Sequence, residues 1–431
     1  MCHRESLYTL MVTSTHTSLE QLFRKTTLPN GLRIITESIP SVRSVSMGVW
    51  VFTGSRDEND SQAGINHFIE HMVFKGTRRR RMHQIASRME SVGGYINAFT
   101  GKEYTCYFAR SLDEHLGRAI DVVCDLISEP TFPEKELQKE KAVVLEEIKM
   151  YEDVPDDLIF DRFESAIYKN NSLGKPVIGF PGTVQSFSRE QLHNYLDAQY
   201  TPDRTVIAVA GNADHDKVVR YVTKAFEGLK RPNAGSPLQR GVNGYSPVQY
   251  EEERPIQQAH LVLGNRGYGM HSSNRIVLSV LNTILGSGMS SRLNQNIREK
   301  YGYCYNIYSF VNLYSDTGDF GVYMGTDPAK VKHAEKLILR ELDKMVQNKI
   351  GTRLLNQAIN QLKGSLMMGL ESMSNRMMRI ARQDLFFNKH HTLDEIIDNV
   401  EQVTAEQVMD VAAELFNPES FSRIVLLPAK S

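Results

Sequence analysis

Cysteine is scarce: only Cys2, Cys106, Cys124 and Cys304 occur, scattered without CxxC spacing. This excludes a disulfide framework and a thiolate metal site, and it fits a reducing compartment. Neither sign of charge is in excess. A formal net charge of -1 gives no footprint for a nucleic-acid partner. No run approaches the ~18 apolar residues of a spanning helix, and residues 1–25 lack the continuous apolar stretch of a secretory signal. These absences predict a cytoplasmic protein with no membrane partner. Arg4, Arg24 and Lys25 among Ser and Thr leave a mitochondrial-matrix alternative, against which Glu5 and Glu20 count. GSGMSSR (Gly286 to Arg292) lacks the Lys followed by Ser or Thr of a phosphate-binding loop, so it reads as a turn between helices.

What is present is more specific. Residues 67 to 71 read His67-Phe68-Ile69-Glu70-His71, an HxxEH pentapeptide on a stretch with helical character. At about 100° per residue, His67, Glu70 and His71 fall on one side of a helix, so two imidazoles and a carboxylate converge. Two neutral imidazoles bind Zn²⁺ at about 2.0–2.1 Å and leave room for a third protein ligand and a water. Glu70 stands where it can take that water's proton. A second segment, EKELQKEKAVVLEEIKMYE (Glu134 to Glu152), has helical periodicity in Leu137, Val144 and Ile148. It carries Glu140 and Glu147 two turns apart on one face. One of these carboxylates could complete the metal site while the other orients an imidazole from behind.

These segments resemble the pitrilysin and insulysin group of inverted-motif zinc metallopeptidases. HFIEHMVFKGT (His67 to Thr77), GGYINAFTGKEYTCY (Gly93 to Tyr107) and MSSRLNQNIREKYGYCY (Met289 to Tyr305) look like three signatures of that family in family order. The likeness runs from about Thr27 onward. In type it is nearest to the homodimeric bacterial members that look like processing peptidases and to the beta subunit of the mitochondrial processing peptidase. It implies His67, His71 and Glu147 as ligands of one Zn²⁺ per chain, with Glu70 as general base and Glu140 as the assisting glutamate. Glu146 is adjacent, but the register favours Glu147. The resemblance further implies that Asn97 and Ala98 contact a bound peptide's backbone and that Phe99 lines a side-chain pocket. Arg298 and Tyr305 stand at the positions of a pair that contacts the substrate carbonyl. Because heterodimeric relatives split the zinc motif and this pair between subunits, their co-occurrence implies a homodimer whose active site is completed in trans.

An internal duplication is visible in the residues themselves. SREQLHNYLDAQYTPDRTVIAVAG (Ser188 to Gly211) and TAEQVMDVAAELFNPESFSRIVLLPA (Thr404 to Ala429) share a helix with EQ near its start, then an aromatic, Pro and an apolar strand. A repeat at half the chain length indicates a doubled domain. Residues 231–258, rich in Pro, Gly and charge, read as the linker. We therefore expect an α+β fold of two homologous α/β-sandwich-like domains. The expected division is a tail at 1–18, a zinc-binding domain at 19–230 and a second, metal-free domain at 259–431. Val45, Met47, Val49 and Val51 alternate with Ser44, Ser46, Gly48 and Trp50, predicting a half-buried strand. NRIVLSVLNTILG is the second-half counterpart of the HxxEH helix, but offers Asn282, Leu285 and Gly286 at the same spacing.

The resulting expectation is a zinc endopeptidase that hydrolyses unfolded peptides or presequences inside an enclosed dimeric chamber. GGYINAFT would act as a strand edge that pairs with extended substrate. The alternative is a non-catalytic assembly or core-type subunit of the same fold.

Overall fold

In the computed structural model two mixed sheets with matching strand order form the frame; residues 22–227, 231–233, 238 and 240–429 are described, and the expected tail 1–18 lies outside them. The first half runs β1 (Phe23–Thr27), β2 (Arg33–Ser38), β3 (Ser44–Val51), α1 (Ile65–Val73), α2 (Met82–Glu90), β4 (Tyr95–Thr100) and β5 (Thr105–Leu112). It continues through α3 (Leu116–Ser128), α4 (Glu134–Asp153), α5 (Pro155–Ile167), α6 (Pro181–Ser186), α7 (Arg189–Gln199), β6 (Thr205–Gly211) and α8 (His215–Ala225). The second half begins with β7 (Gln249–Arg254), β8 (Ala259–Gly267), α9 (Arg275–Gly286), β9 (Cys304–Leu313) and β10 (Gly318–Thr326). It ends with α10 (Val331–Gln347), α11 (Thr352–Gly369), α12 (Met373–Phe387), α13 (Leu393–Glu401), α14 (Ala405–Leu415) and β11 (Ser422–Pro428).

The sheet orders are β1-β2-β6-β3-β5-β4 and β7-β11-β8-β10-β9. Without β1 they correspond strand for strand, each with one parallel pair, β2 with β6 and β7 with β11. The α+β expectation holds. The repeat seen in the sequence is α7–β6 and α14–β11. Both helices start on the same device: Ser188 caps Gln191 and Thr404 caps Gln407, with each Gln side chain accepting the cap residue's own N–H. The EQ that opens each repeat is this capping box.

Two expectations change. Gln249–Arg254, placed by composition in the linker, is edge strand β7, paired in parallel with β11. Charge and exposure on its outer side hid its strand character. Strand β3 is buried on both faces beyond Ser44, not half-buried. One face packs on α1 and α3. The other is covered by α12 of the second half, whose Met377, Ile380, Ala381, Leu385 and Phe386 pack against Ile35, Trp50, Phe108 and Val206. The exchange is reciprocal: α5 of the first half lays Leu158, Ile159, Phe163 and Ile167 on Val262, Tyr323, Ile424 and Leu426 of the second sheet. Polar ties fix α12 in register. Glu37 accepts from Arg376 (3.0 Å) and Arg379 (2.9 Å), and Asp384 pairs with Arg33 (3.1 Å) and Lys25.

Candidate metal centre and strand edge

Helix α1 buries Phe68, Ile69 and Met72 completely, which turns His67, Glu70 and His71 toward a cavity. Its N-cap is Gly64, in the left-handed region (φ 91°), which offers no side chain to the first-turn N–H groups. Glu58 takes that role from six residues upstream. Its carboxylate accepts from the N–H of Gly64 (2.7 Å), the N–H of Asn66 (2.9 Å) and the Asn66 side-chain amide (2.9 Å). Helix α4 buries Leu137, Glu140, Val144 and Ile148, and this face sets Glu140 and Glu147 against α1.

Glu147 Oε1 lies 3.9 Å from His67 Nε2, and its Oε2 lies 3.7 Å from His71 Nε2. His67, His71 and Glu147 each offer a ligand atom within 4.8 Å of the others, the sole such group of three or more among the described residues. These separations are too long for hydrogen bonds. His67 Nδ1 and Glu147 Oε2 are buried without a hydrogen-bond partner. The Nε2 atoms of both imidazoles face Glu147, whose buried Oε2 has no hydrogen-bond partner, which fits a cation between them, and two imidazoles with one carboxylate are a zinc set with a fourth position open. Burial, reinforced by neighbouring His71, pushes His67 down to about 3, so its imidazole is neutral as a metal ligand requires. Burial raises Glu147.

Behind the site, His71 Nδ1–H donates to Glu140 Oε1 (2.9 Å), and Lys75 Nζ lies 2.6 Å from Glu140 Oε2. Burial works against charge on Glu140, but the bonds from His71 and Lys75 outweigh it and hold the carboxyl below its usual range. An ionised Glu140 fixes the His71 tautomer and leaves Nε2 facing Glu147. Glu70 stands apart from the ligand set. Thr100 Oγ1 donates to its Oε2 (2.5 Å), and burial raises its pKa.

The cavity, about 560 Å³, is lined by His67, Glu70, His71 and Glu147, by Phe99 and Thr100 from β4, and by Tyr151, Asp157 and Asp161. Strand β4 is the outermost strand of its sheet. Phe99 also packs on Trp50 (5.6 Å between rings). Asn97 Oδ1 accepts the N–H of Ala98 (2.9 Å), and Asn97 Nδ2 donates to Tyr95 (2.6 Å). All three predicted edge residues therefore lie at the strand beside the cavity.

Arg298, in a π-helical turn (Asn294–Glu299), places its guanidinium 5.4 Å from the ring of Tyr305 at the start of β9. Tyr305 is 74% exposed. The pair is assembled, but neither residue lines the cavity that holds His67 and Glu147. In the second half, Gly286 lies against Ser309, where a Cβ would come within 2.2 Å of its backbone nitrogen, so α9 packs on β9 instead of opening a site. Cys304 is buried. Arg78, Arg79 and Arg80, which follow helix α1, are ion-paired: Arg79 and Arg80 with Asp121 and Asp125 of α3, and Arg78 with Glu129. Sequence reasoning missed Glu58, Lys75 and Thr100. For Thr100 a signal existed, because it shares a strand face with Ala98.

The first half matches the insulinase (peptidase family M16) model over residues 33–180, and residues 186–362 match the peptidase M16 inactive domain. An uncharacterized zinc protease of Bacillus subtilis is 41% identical over 408 residues, covering 95% of this chain and 99% of that protein. The chain belongs to the insulinase family, peptidase family M16. An uncharacterized zinc protease of Streptomyces coelicolor is also 41% identical, over 91% of this chain and 87% of its own. Among solved structures, a protease from Helicobacter pylori superposes with a TM-score of 0.88 at 21% identity, covering 94% of this chain and 99% of that one. A peptidase M16 inactive domain from Pseudomonas fluorescens gives 0.88 at 19%, covering 95% and 98%. These two likenesses concern the fold. The inactive-domain match falls largely on the second half, where no group of three possible metal ligands lies among the described residues.

Proposed function

We propose that this member of the insulinase family is a zinc endopeptidase acting on unfolded peptides or presequences. The observation that carries the reading is one cavity holding the His67, His71 and Glu147 donor set, a separate carboxylate in Glu70 and a free strand edge in β4. When bound, Zn²⁺ supplies Lewis-acid chemistry, lowering the pKa of its water towards ~7 and polarising a carbonyl. Glu70 accepts the proton of the attacking water and returns it to the leaving amine. Substrate pairs its main chain with β4, which gives affinity with little sequence choice. Asp157 and Asp161 beside the donor set add a preference for a basic side chain nearby.

Arg298 and Tyr305 donate to the carbonyl oxygen as negative charge develops on it. The exposure of Tyr305, with both residues away from the cavity of their own chain, supports a homodimer in which each pair serves the partner's site inside a closed chamber. A cytoplasmic location belongs to the same reading, supported by Cys106, Cys124 and Cys304 as buried free thiols. Against a purely structural role as an assembly subunit stands the intact donor set.

Incubation of the purified protein with a mixed peptide library tests the reading. Cleavage that is abolished by chelation and by Glu70→Gln, with native globular proteins left intact, is the expected result. Wild-type cleavage by Glu70→Gln, or efficient digestion of a compact native protein, would overturn it.

A further inference from the structure

The Thr100 hydroxyl is the one hydrogen-bond partner that the side chain of Glu70 has among the described residues, at 2.5 Å from Oε2. The Glu70 Oε1 takes no part in that bond, and Glu70 lines the cavity shared with His67, His71 and Glu147. Thr100 is also part of the strand edge. The Gly101 N–H is donated inward to Tyr104 of the neighbouring strand segment (2.8 Å). Main-chain groups alternate in direction along a strand, so those of Phe99 face inward with Gly101, and those of Ala98 and Thr100 face the free edge. The Ala98 N–H agrees, because its partner is the Asn97 side chain and not the adjacent strand. The same residue therefore presents its backbone to an added strand and its side chain to Glu70.

Resting on the peptidase reading above, we infer that Thr100 is a positioning residue: its hydroxyl orients the Glu70 carboxylate, and pairing of substrate along β4 fixes Thr100 and so sets Glu70 for proton transfer. A threonine suits both tasks. Its branched Cβ favours the extended backbone and restricts χ1, which gives the hydroxyl one direction. A carboxylate held at one oxygen keeps the other aimed, and misplacement by about 1 Å costs catalysis about a hundredfold. The role is separate from metal binding, because the Thr100 hydroxyl bonds to Glu70 and not to any of the three ligand side chains.

Thr100→Val keeps the shape and removes the donor, and Thr100→Ser keeps the donor and removes the methyl. Expected for Thr100→Val are a kcat about 10–100-fold lower, a KM within about twofold and a zinc content equal to wild type. A crystal structure should show the Glu70 carboxylate displaced. Thr100→Ser should restore kcat to within about threefold of wild type and leave Glu70 in place. Wild-type kcat in Thr100→Val, equal impairment of the Val and Ser variants, or loss of zinc would overturn the inference. Glu70→Gln, measured alongside, separates the two claims. Cleavage by that variant at the wild-type rate rejects the peptidase base, whereas the Glu70 conformation in the two Thr100 variants decides the positioning role independently of turnover.

Discussion

The indole Nε1–H of Trp50, in the middle of the first sheet, points at the sulfur of Met377 in α12, 3.1 Å away. Both side chains are almost completely buried. Trp50 belongs to the half that carries the HxxEH motif and Met377 to the other, so the contact lies where the halves exchange helices. The sheet that supports β4 and α1 is therefore finished only when the second half has folded.

Truncation at this point should be costly. Met377→Ala is expected to destabilise the protein by about 2–5 kcal/mol, the range for a fully buried large-to-small change. Because α5 and α12 are exchanged, both halves should unfold in one transition in urea, followed by tryptophan fluorescence and circular dichroism. Two separated transitions would show that the exchange does not couple the halves.

The metal site makes a sharper claim about adjacent glutamates. Glu146 is 73% exposed and pairs with Lys149 at 2.7 Å, whereas Glu147 faces both imidazoles. Glu147→Gln should lose zinc and Glu146→Gln should keep about one per chain, read by elemental analysis. Lys75→Met and Glu140→Gln should each weaken zinc binding by about 10–100-fold in chelator competition. The double variant should be no worse than Glu140→Gln alone. Fully additive losses would mean that Lys75 acts elsewhere.

Stability should carry a pH signature from the junction of the halves. Burial, with Glu164 nearby, pushes Asp319 up to about 8, only partly offset by bonds from Asn312 (2.9 Å) and Tyr168 (3.2 Å). In the unfolded chain an aspartate titrates near ~3.9. The folded state therefore holds a proton that the unfolded chain has released, and the stability from it is present below pH ~4 and lost as pH rises toward about 8. Asp319→Asn removes this loss. Its Tm relative to wild type should rise between pH 5 and pH 8, while the slopes due to Glu58 and Asp161, raised to about 8 and about 6, are common to both proteins. Parallel Tm curves would refute the assignment.

Completion in trans predicts complementation. Glu70→Gln and Tyr305→Phe chains, co-expressed with different tags and isolated as the mixed dimer, should recover roughly half of normal activity, because one of two independent sites escapes both lesions. A mixed dimer no better than its better parent would place the pair in cis.

The sequence by itself determined the chemistry and the duplication. His67, Glu70 and His71 lie on one face because helical spacing is local, Glu140 and Glu147 share a face of α4 for the same reason, and the capping boxes at Ser188 and Thr404 repeat as short words. Asn97, Ala98 and Phe99 came from the family resemblance of GGYINAFT. The tertiary structure alone decided how remote segments meet: α12 over β3, α5 over the second sheet, and β7, whose charged residues gave no strand period, beside β11. It also decided that Glu58 caps α1, that Lys75 holds Glu140 and that Thr100 holds Glu70. Periodicity records which side of an element is apolar, but not which distant element will cover it. A single polar side chain carries no pattern at all until folding brings its partner within hydrogen-bond reach.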